Sequence, residues 1–350
     1  MLPIPNFFNS ETVGTLWRVP YQTRASEAQT YAKAHNISPA RTDDKRVCLL
    51  AIDVQNTFCL PEFELFVGGR SGKGAVEDTR RLCEFIYRNL DIITEIAPTM
   101  DTHVATQIFH PVFWVDKAGE HPAPMTTISY EEIKSGVWQV NPAVAQGLAQ
   151  KSSGAQHETK PVDVVTFAKH YAKQLGLAQK YPLTIWPYHS MLGGIGHALV
   201  PAFEEACFFH NMARKSQTRI EIKGDNPLTE NYSVLSPEVL NGADSQPVAQ
   251  KNNNFIEHLL RFDAIIIAGQ AKSHCVAWTI RDLLSEIQAV DPALTNKIYL
   301  LEDCASPVVV PDAVDFTDAA DACYREFEAA GMYLVKSTQS PLDWPDFSKK

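Results

Sequence analysis

The chain has 350 residues, 45% hydrophobic and 10% aromatic, which is enough to bury the core of one large α/β domain or two ordinary ones. A formal net charge of -10 with no cluster of Lys and Arg argues against nucleic acid as a partner. No window approaches the roughly 18 uninterrupted apolar residues of a membrane span, and no basic segment with an apolar run opens the chain, so a cytoplasmic protein with no membrane partner is expected.

Residues 1–46 follow no α/β rhythm and are expected to form an arm. The continuous apolar run VCLLAI (47–52) then ends in Asp53, the pattern of a strand buried on both faces of a parallel sheet. The stretch AVEDTRRLCEFIYRNLDIITEI (75–96) places Val76, Leu82, Phe85, Ile86, Leu90 and Ile93 at helical spacing, and a strand end is expected at TMDTH (99–103). Residues 112–184 break the pattern with Pro, Trp and the helical VVTFAKHYAKQLGLAQ, and are expected to be an insertion or lid. The glycines of LGGIGHAL (192–199) match neither a dinucleotide nor a P-loop signature and are expected to turn into the helix LVPAFEEACFFHNMARK.

Strand-like TRIEI (218–222), FDAIIIAG (262–269), KIYLLED (297–303) and MYLVKS (332–337) alternate with helix-like CVAWTIRDLLSEI and DAADACYREFEAAG. This alternation predicts an α/β fold: a doubly wound, mostly parallel sheet with helices on both faces, spanning 47–340 and followed by a tail at 341–350. In such sheets ligands sit outside the carboxyl ends of the strands.

Three chemical side chains fall at such ends. Cys275 follows GQAKSH, with Ser273 as the expected N-cap of the next helix, so free N–H groups and the helix dipole favour a thiolate there. The other reading is a small buried core residue, as expected of most of the seven cysteines (48, 59, 83, 207, 275, 304, 323), which show no CxxC spacing and fit a reduced compartment. Asp53 is a base for that thiol or a loop-capping carboxylate, and Lys223, closing TRIEIK, is a charge partner or a solvated strand end. Asp101 and His103, with His110 in the following loop and His189 in WPYHSMLGGIG, are a donor set suited to a borderline divalent ion such as Zn, Fe or Mn. Phe58 and Trp186 stand beside these motifs as flat apolar surface, or as core.

Five stretches, LLAIDVQNTFCLPEFELFVGG, TMDTH with His110, WPYHSMLGGIG, IKGDNPLTENYSVL and IIIAGQAKSHCVAWT, occur in the order in which isochorismatase-like cysteine hydrolases carry them. The chain resembles that superfamily, and within it is most similar to nicotinamidases. The resemblance implies a catalytic triad of Asp53, Lys223 and Cys275, with a cis peptide before Ala271 and the N–H groups of Ala271 and Cys275 as oxyanion donors. It implies a divalent metal on Asp101, His103 and His110 with His189 added, and an aromatic ring held between Phe58 and Trp186. The implied activity is metal-dependent hydrolysis of a small carboxamide, nicotinamide to nicotinic acid in NAD salvage. The alternatives are another amide, ureido or carbamoyl substrate, isochorismatase activity, or a catalytically silent binding protein. Members of the superfamily often self-assemble, so the arm has two options: it embraces a second copy in a homo-oligomer or folds back on its own domain.

Overall fold

The computed structural model describes residues 1–151 and 163–348. Six strands, β1 (Val47–Ile52), β2 (Glu95–Asp101), β3 (Glu221–Lys223), β4 (Ala264–Gly269), β5 (Ile298–Leu301) and β6 (Tyr333–Val335), form one sheet. They lie in the order β6-β5-β4-β1-β2-β3, and every pairing is parallel. The chain winds outward from β1 to β3, returns to β4 beside β1, and winds the other way to β6. Where the winding reverses, the helices on the two faces diverge and leave a crevice at the carboxyl ends of β1 and β4. The expected doubly wound α/β fold is therefore the one observed.

Among the described residues, the helices that pack around the sheet and its insertion include α1 (Tyr21–Ala34), α2 (Gly74–Arg88), α3 (Val164–Leu177), α4 (Pro201–Arg214), α5 (Asn253–Leu260), α6 (Ala277–Val290) and α7 (Thr317–Ala329). Successive strand side chains point to opposite faces, so a run that is apolar at every position feeds two cores at once. Leu49, Ala51 and Ile266 join Leu82 and Phe85 of α2 and Phe203 and Phe209 of α4. Leu50, Ile52, Ile265 and Ile267 join Phe255 of α5, Ile280 and Leu283 of α6 and Phe327 of α7.

Two sequence expectations need correction. The helix expected over 75–96 stops at Arg88, because Asn89 ends it: its N–H and side-chain amide both donate to the Phe85 carbonyl. Ile93 and Ile96 satisfy helical spacing equally well, but they belong to the approach to β2 and to β2 itself. The helix after β4 does not begin at a Ser273 cap either. Val276 N–H reaches back five residues to the Ala271 carbonyl at 3.2 Å, forming a wide turn, and regular α-helix starts at Ala277. Ser273 Oγ is occupied elsewhere, accepting from Val308 N–H at 3.0 Å and bonding His274 Nδ1 at 2.8 Å.

The arm folds back on its own domain. Leu2 N–H donates to the Arg88 carbonyl, the Phe7 ring packs on Tyr87 and Phe209, and Arg24 pairs with Glu205 at 2.6 Å. The insertion packs inward as well: Phe113, Trp114, Phe167 and Tyr171 are buried in the core shared with β1 and β4. Two short antiparallel ribbons, Trp114–Val115 with Gln139–Val140 and Thr127–Ile128 with Leu183–Thr184, brace it. Residues 152–162 of the expected insertion and 349–350 of the expected tail lie outside the described residues. No helix among the described residues is long and apolar enough to cross a membrane.

Candidate active site

The close fit of β1 to β4 fixes the geometry at the crevice. At Gly269 (φ +118°) a Cβ would lie 2.0 Å from the Ile52 carbonyl oxygen, so only glycine lets the two strand ends approach. Past it, the Gln270–Ala271 peptide is cis, as the resemblance implies. On the β1 side Asp53 is fully buried with φ +48°. Thr99 of β2 holds it, donating to Asp53 Oδ1 at 2.5 Å and accepting from the Asp53 N–H at 3.1 Å.

Lys223, at the end of β3, is buried and lies at the centre of the group. Its Nζ lies 3.0 Å from Asp53 Oδ2, 2.8 Å from Asp101 Oδ1 and 3.6 Å from Cys275 Sγ, and it donates to the Asn231 carbonyl at 2.9 Å. Burial alone would lower the pKa of this ammonium, but the charges of Asp101 and Asp53 hold it well above the ordinary lysine range. Burial pushes the Cys275 thiol well above its usual value, with Lys223 opposing, and pushes the Asp53 carboxyl up, again with Lys223 opposing. A proton shared between thiol and carboxylate beside a fixed cation is the arrangement a general base and nucleophile require.

Next to it stands a candidate metal centre. Asp101, His103 and His189 bring their ligand atoms within 4.8 Å of one another. Asp101 Oδ2 is 2.7 Å from His103 Nε2 and 3.3 Å from His189 Nε2. The Nδ1 atoms of His103, His189 and His110 each lie against a backbone carbonyl, those of Gly224, Pro187 and Ala105, at 3.1, 2.8 and 3.2 Å. In the neutral ring that contact puts the proton on Nδ1 and leaves the Nε2 lone pair to a metal, the usual support of a ligating histidine. His110 Nε2 is buried with no hydrogen-bond partner, although its ring stands 5.8 Å from that of His103 and outside the tight trio. Burial, then the neighbouring His103 and His189, depress the His110 pKa to about 3, so it is a neutral donor. Burial would raise the Asp101 pKa, but His103 and Lys223 hold it well below the carboxylate range. The donor set fits a borderline divalent ion.

Both groups open into one cavity of about 360 Å³, lined by Asp101, His189, Lys223, Ala271 and Cys275 and flanked by Phe58 and Trp186. Of the expected site residues, Phe58, Asp101, Trp186, His189, Lys223, Ala271 and Cys275 line this space, while Asp53 and His103 stand behind it, in contact with Lys223 and Asp101, and His110 is set further back. Sequence reasoning missed Glu230, Tyr232 and His274, which also line the cavity, and Thr99 behind Asp53. Tyr232 accepts a hydrogen bond from Trp186 Nε1 at 3.2 Å. Glu230 and Tyr232 stand in the quoted run IKGDNPLTENYSVL and His274 adjoins Cys275, so nearness in sequence was the available signal. Thr99 opens the quoted TMDTH, two residues before Asp101, so the same signal was available there.

No family model matches the sequence, and no curated protein does. Among solved structures the chain is similar to a nicotinamidase/pyrazinamidase of Acinetobacter baumanii, at 15% identity over 85% of this chain and 99% of that one, with a TM-score of 0.49. It is similar to the yeast nicotinamidase bound to the inhibitor nicotinaldehyde, at 18% identity over 83% and 99%, with a TM-score of 0.49. A pyrazinamidase of Pyrococcus horikoshii in complex with zinc is a further match, at 15% identity over 83% and 99%, with a TM-score of 0.43.

Proposed function

We propose that the protein is a metal-dependent cysteine hydrolase of small carboxamides, converting nicotinamide to nicotinic acid and ammonia as a cytoplasmic step of NAD salvage. One observation carries the reading: a single buried ammonium, Lys223, contacts Asp53, Cys275 and Asp101, and so joins a nucleophile and base to the Asp-His-His group at one cavity. A core cysteine has no use for that company.

Asp53 accepts the Cys275 proton as the sulfur attacks the carboxamide carbon. Lys223 stabilises the anionic pair, and the N–H groups of Ala271 and Cys275 receive the developing oxyanion. The C–N bond breaks as Asp53 returns the proton to the leaving nitrogen, releasing ammonia. Water then cleaves the thioester to the acid, with Asp53 again taking and returning a proton. Phe58 and Trp186 hold the ring flat, which keeps the carboxamide carbon before the sulfur. Asp101, His103 and His189, with His110, would hold a Zn, Fe or Mn ion, which when bound supplies a Lewis acid to orient a ring nitrogen.

Ammonia release from nicotinamide by the purified protein, before and after chelation and with metals restored, tests the reading. Release that falls with chelator, returns with metal and is absent from Cys275→Ala is the expected result. A Cys275→Ala protein that still turns over substrate removes the mechanism.

A further inference from the structure

The cavity has two unlike ends. Its inner end is buried and polar, formed by Asp101, Lys223, His189 and Cys275. Its outer end is apolar and partly open to solvent: Leu65 and Phe66 come from the loop after β1, Pro124 and Met125 from the insertion, and Val309 and Val310 from the segment before α7. Met125 is 40% exposed.

This outer wall is held in place. Met125, at φ +71°, donates its N–H to the Ile185 carbonyl at 2.6 Å, beside the ribbon Thr127–Ile128 with Leu183–Thr184. Val309–Val310 pairs with Val314–Asp315, and Asp315 is tied to Arg70 at 2.6 Å across to the loop that carries Leu65 and Phe66. Val308 N–H is fixed on Ser273 Oγ, two residues from Cys275. A preformed apolar wall continuous with a catalytic pocket favours an apolar group placed against it. The cavity of about 360 Å³ lies within the roughly 300–1,000 Å³ range of pockets for drug-sized ligands, above the need of one ring and its carboxamide.

Resting on the hydrolase reading above, we propose that the preferred substrate is a heteroaromatic carboxamide whose ring carries an apolar substituent, with Met125 and Val309 determining that preference. The carboxamide meets Cys275 at the inner end while the substituent lies along the outer wall. Glu64, an exposed carboxylate at this end, disfavours an anionic substituent.

The test is kcat/KM for nicotinamide and for nicotinamides carrying methyl, ethyl, propyl or carboxymethyl groups at each free ring carbon. At one ring position the value rises about fourfold per methylene, the transfer free energy of a buried CH2 expressed as a rate ratio, and the carboxymethyl compound falls below its alkyl counterparts. Met125→Asp and the milder Val309→Ser, each checked for an unchanged melting transition, lower kcat/KM for the propyl compound at least tenfold more than for nicotinamide. Equal losses on both substrates overturn the specificity role. A flat alkyl series at every ring position, with nicotinamide itself hydrolysed, overturns the inference and leaves the hydrolase reading standing. Where no amide is hydrolysed, calorimetric titration with the same series separates the two claims. Affinity that climbs with chain length supports the wall and removes the hydrolase reading, and no binding removes both.

Discussion

Replacing Lys223 by methionine keeps most of the side chain's length and removes its charge. In the native site the ammonium lies 2.8 Å from Asp101 Oδ1, 3.0 Å from Asp53 Oδ2 and 3.6 Å from Cys275 Sγ, all buried. Removing one partner of a buried ion pair costs about 3–5 kcal/mol, because the remaining charge is left without compensation in low dielectric. At about 2.1 cal/mol/K of unfolding entropy per residue, a chain of 350 residues then melts about 4–7 °C lower. The consequence at the sulfur is greater. Burial already drives the Cys275 and Asp53 pKa values up, and Lys223 is the cation that opposes it at both. Without it both rise further, so thiolate forms at higher pH. Ammonia release at neutral pH therefore falls about a hundredfold or more, the scale of losing a proton-transfer group. The rate of iodoacetamide alkylation at Cys275, followed against pH by mass spectrometry, shifts its rise to higher pH. A variant within tenfold of the native rate, with an unmoved alkylation profile, removes this role for Lys223.

Other outcomes follow from the same geometry. Gly269→Ala puts a Cβ 2.0 Å from the Ile52 carbonyl oxygen, so strand separation costs more than about 4 kcal/mol and soluble yield collapses; a normal melting curve would contradict this. Burial lowers the His210 pKa from 6.5 to about 4, so its contribution to stability is complete above pH 6.5 and is lost as pH falls toward 4. In denaturant titrations across that window, His210→Gln reduces the slope of stability against pH by about 1.4 kcal/mol per unit, and an unchanged slope counts against the assignment. His103→Ala is purified without metal, whereas His110→Ala, altered outside the tight trio, retains metal but releases it to chelator sooner. Elemental analysis during dialysis against chelator distinguishes them, and equal retention by both variants is the contrary result.

The strands were legible where burial on two faces left no choice of residue. VCLLAI and AIIIAG read as β because every position is apolar, and both end at the rim where the site lies, Asp53 directly following the first. β2 was half hidden because Ile92, Ile93 and Ile96 sit at spacings that continue a helix, and Asn89, the residue that stops it, is a weak signal in sequence. Asp53, Lys223 and Cys275 could be gathered because parallel winding brings strand ends to one rim. The 3.0 and 2.8 Å contacts of Lys223 to two carboxylates could not be read so, since they depend on the register of β3 against β2, where Lys223 stands opposite Asp101. The same limit applied to Thr99, and to Met125, which reaches the cavity through a ribbon of two residues per strand.

The insertion is part of the site's support. At its end, Tyr181 donates its hydroxyl to the Ser273 carbonyl at 2.8 Å and lays its ring 4.7 Å from that of His274, the residue beside Cys275. Its neighbour Lys180 pairs at 3.0 Å with Glu238, a carboxyl whose pKa burial raises to about 7 against the pull of that lysine. Tyr171 accepts the N–H of Glu230, which itself lines the cavity. Each contact joins insertion residues to the loop that follows Lys223 or to the turn after β4 that carries Cys275. A local opening of the insertion would expose Glu238 and free the backbone beside Cys275 together. Such shared burial couples the opening of these segments to that of the core they cover.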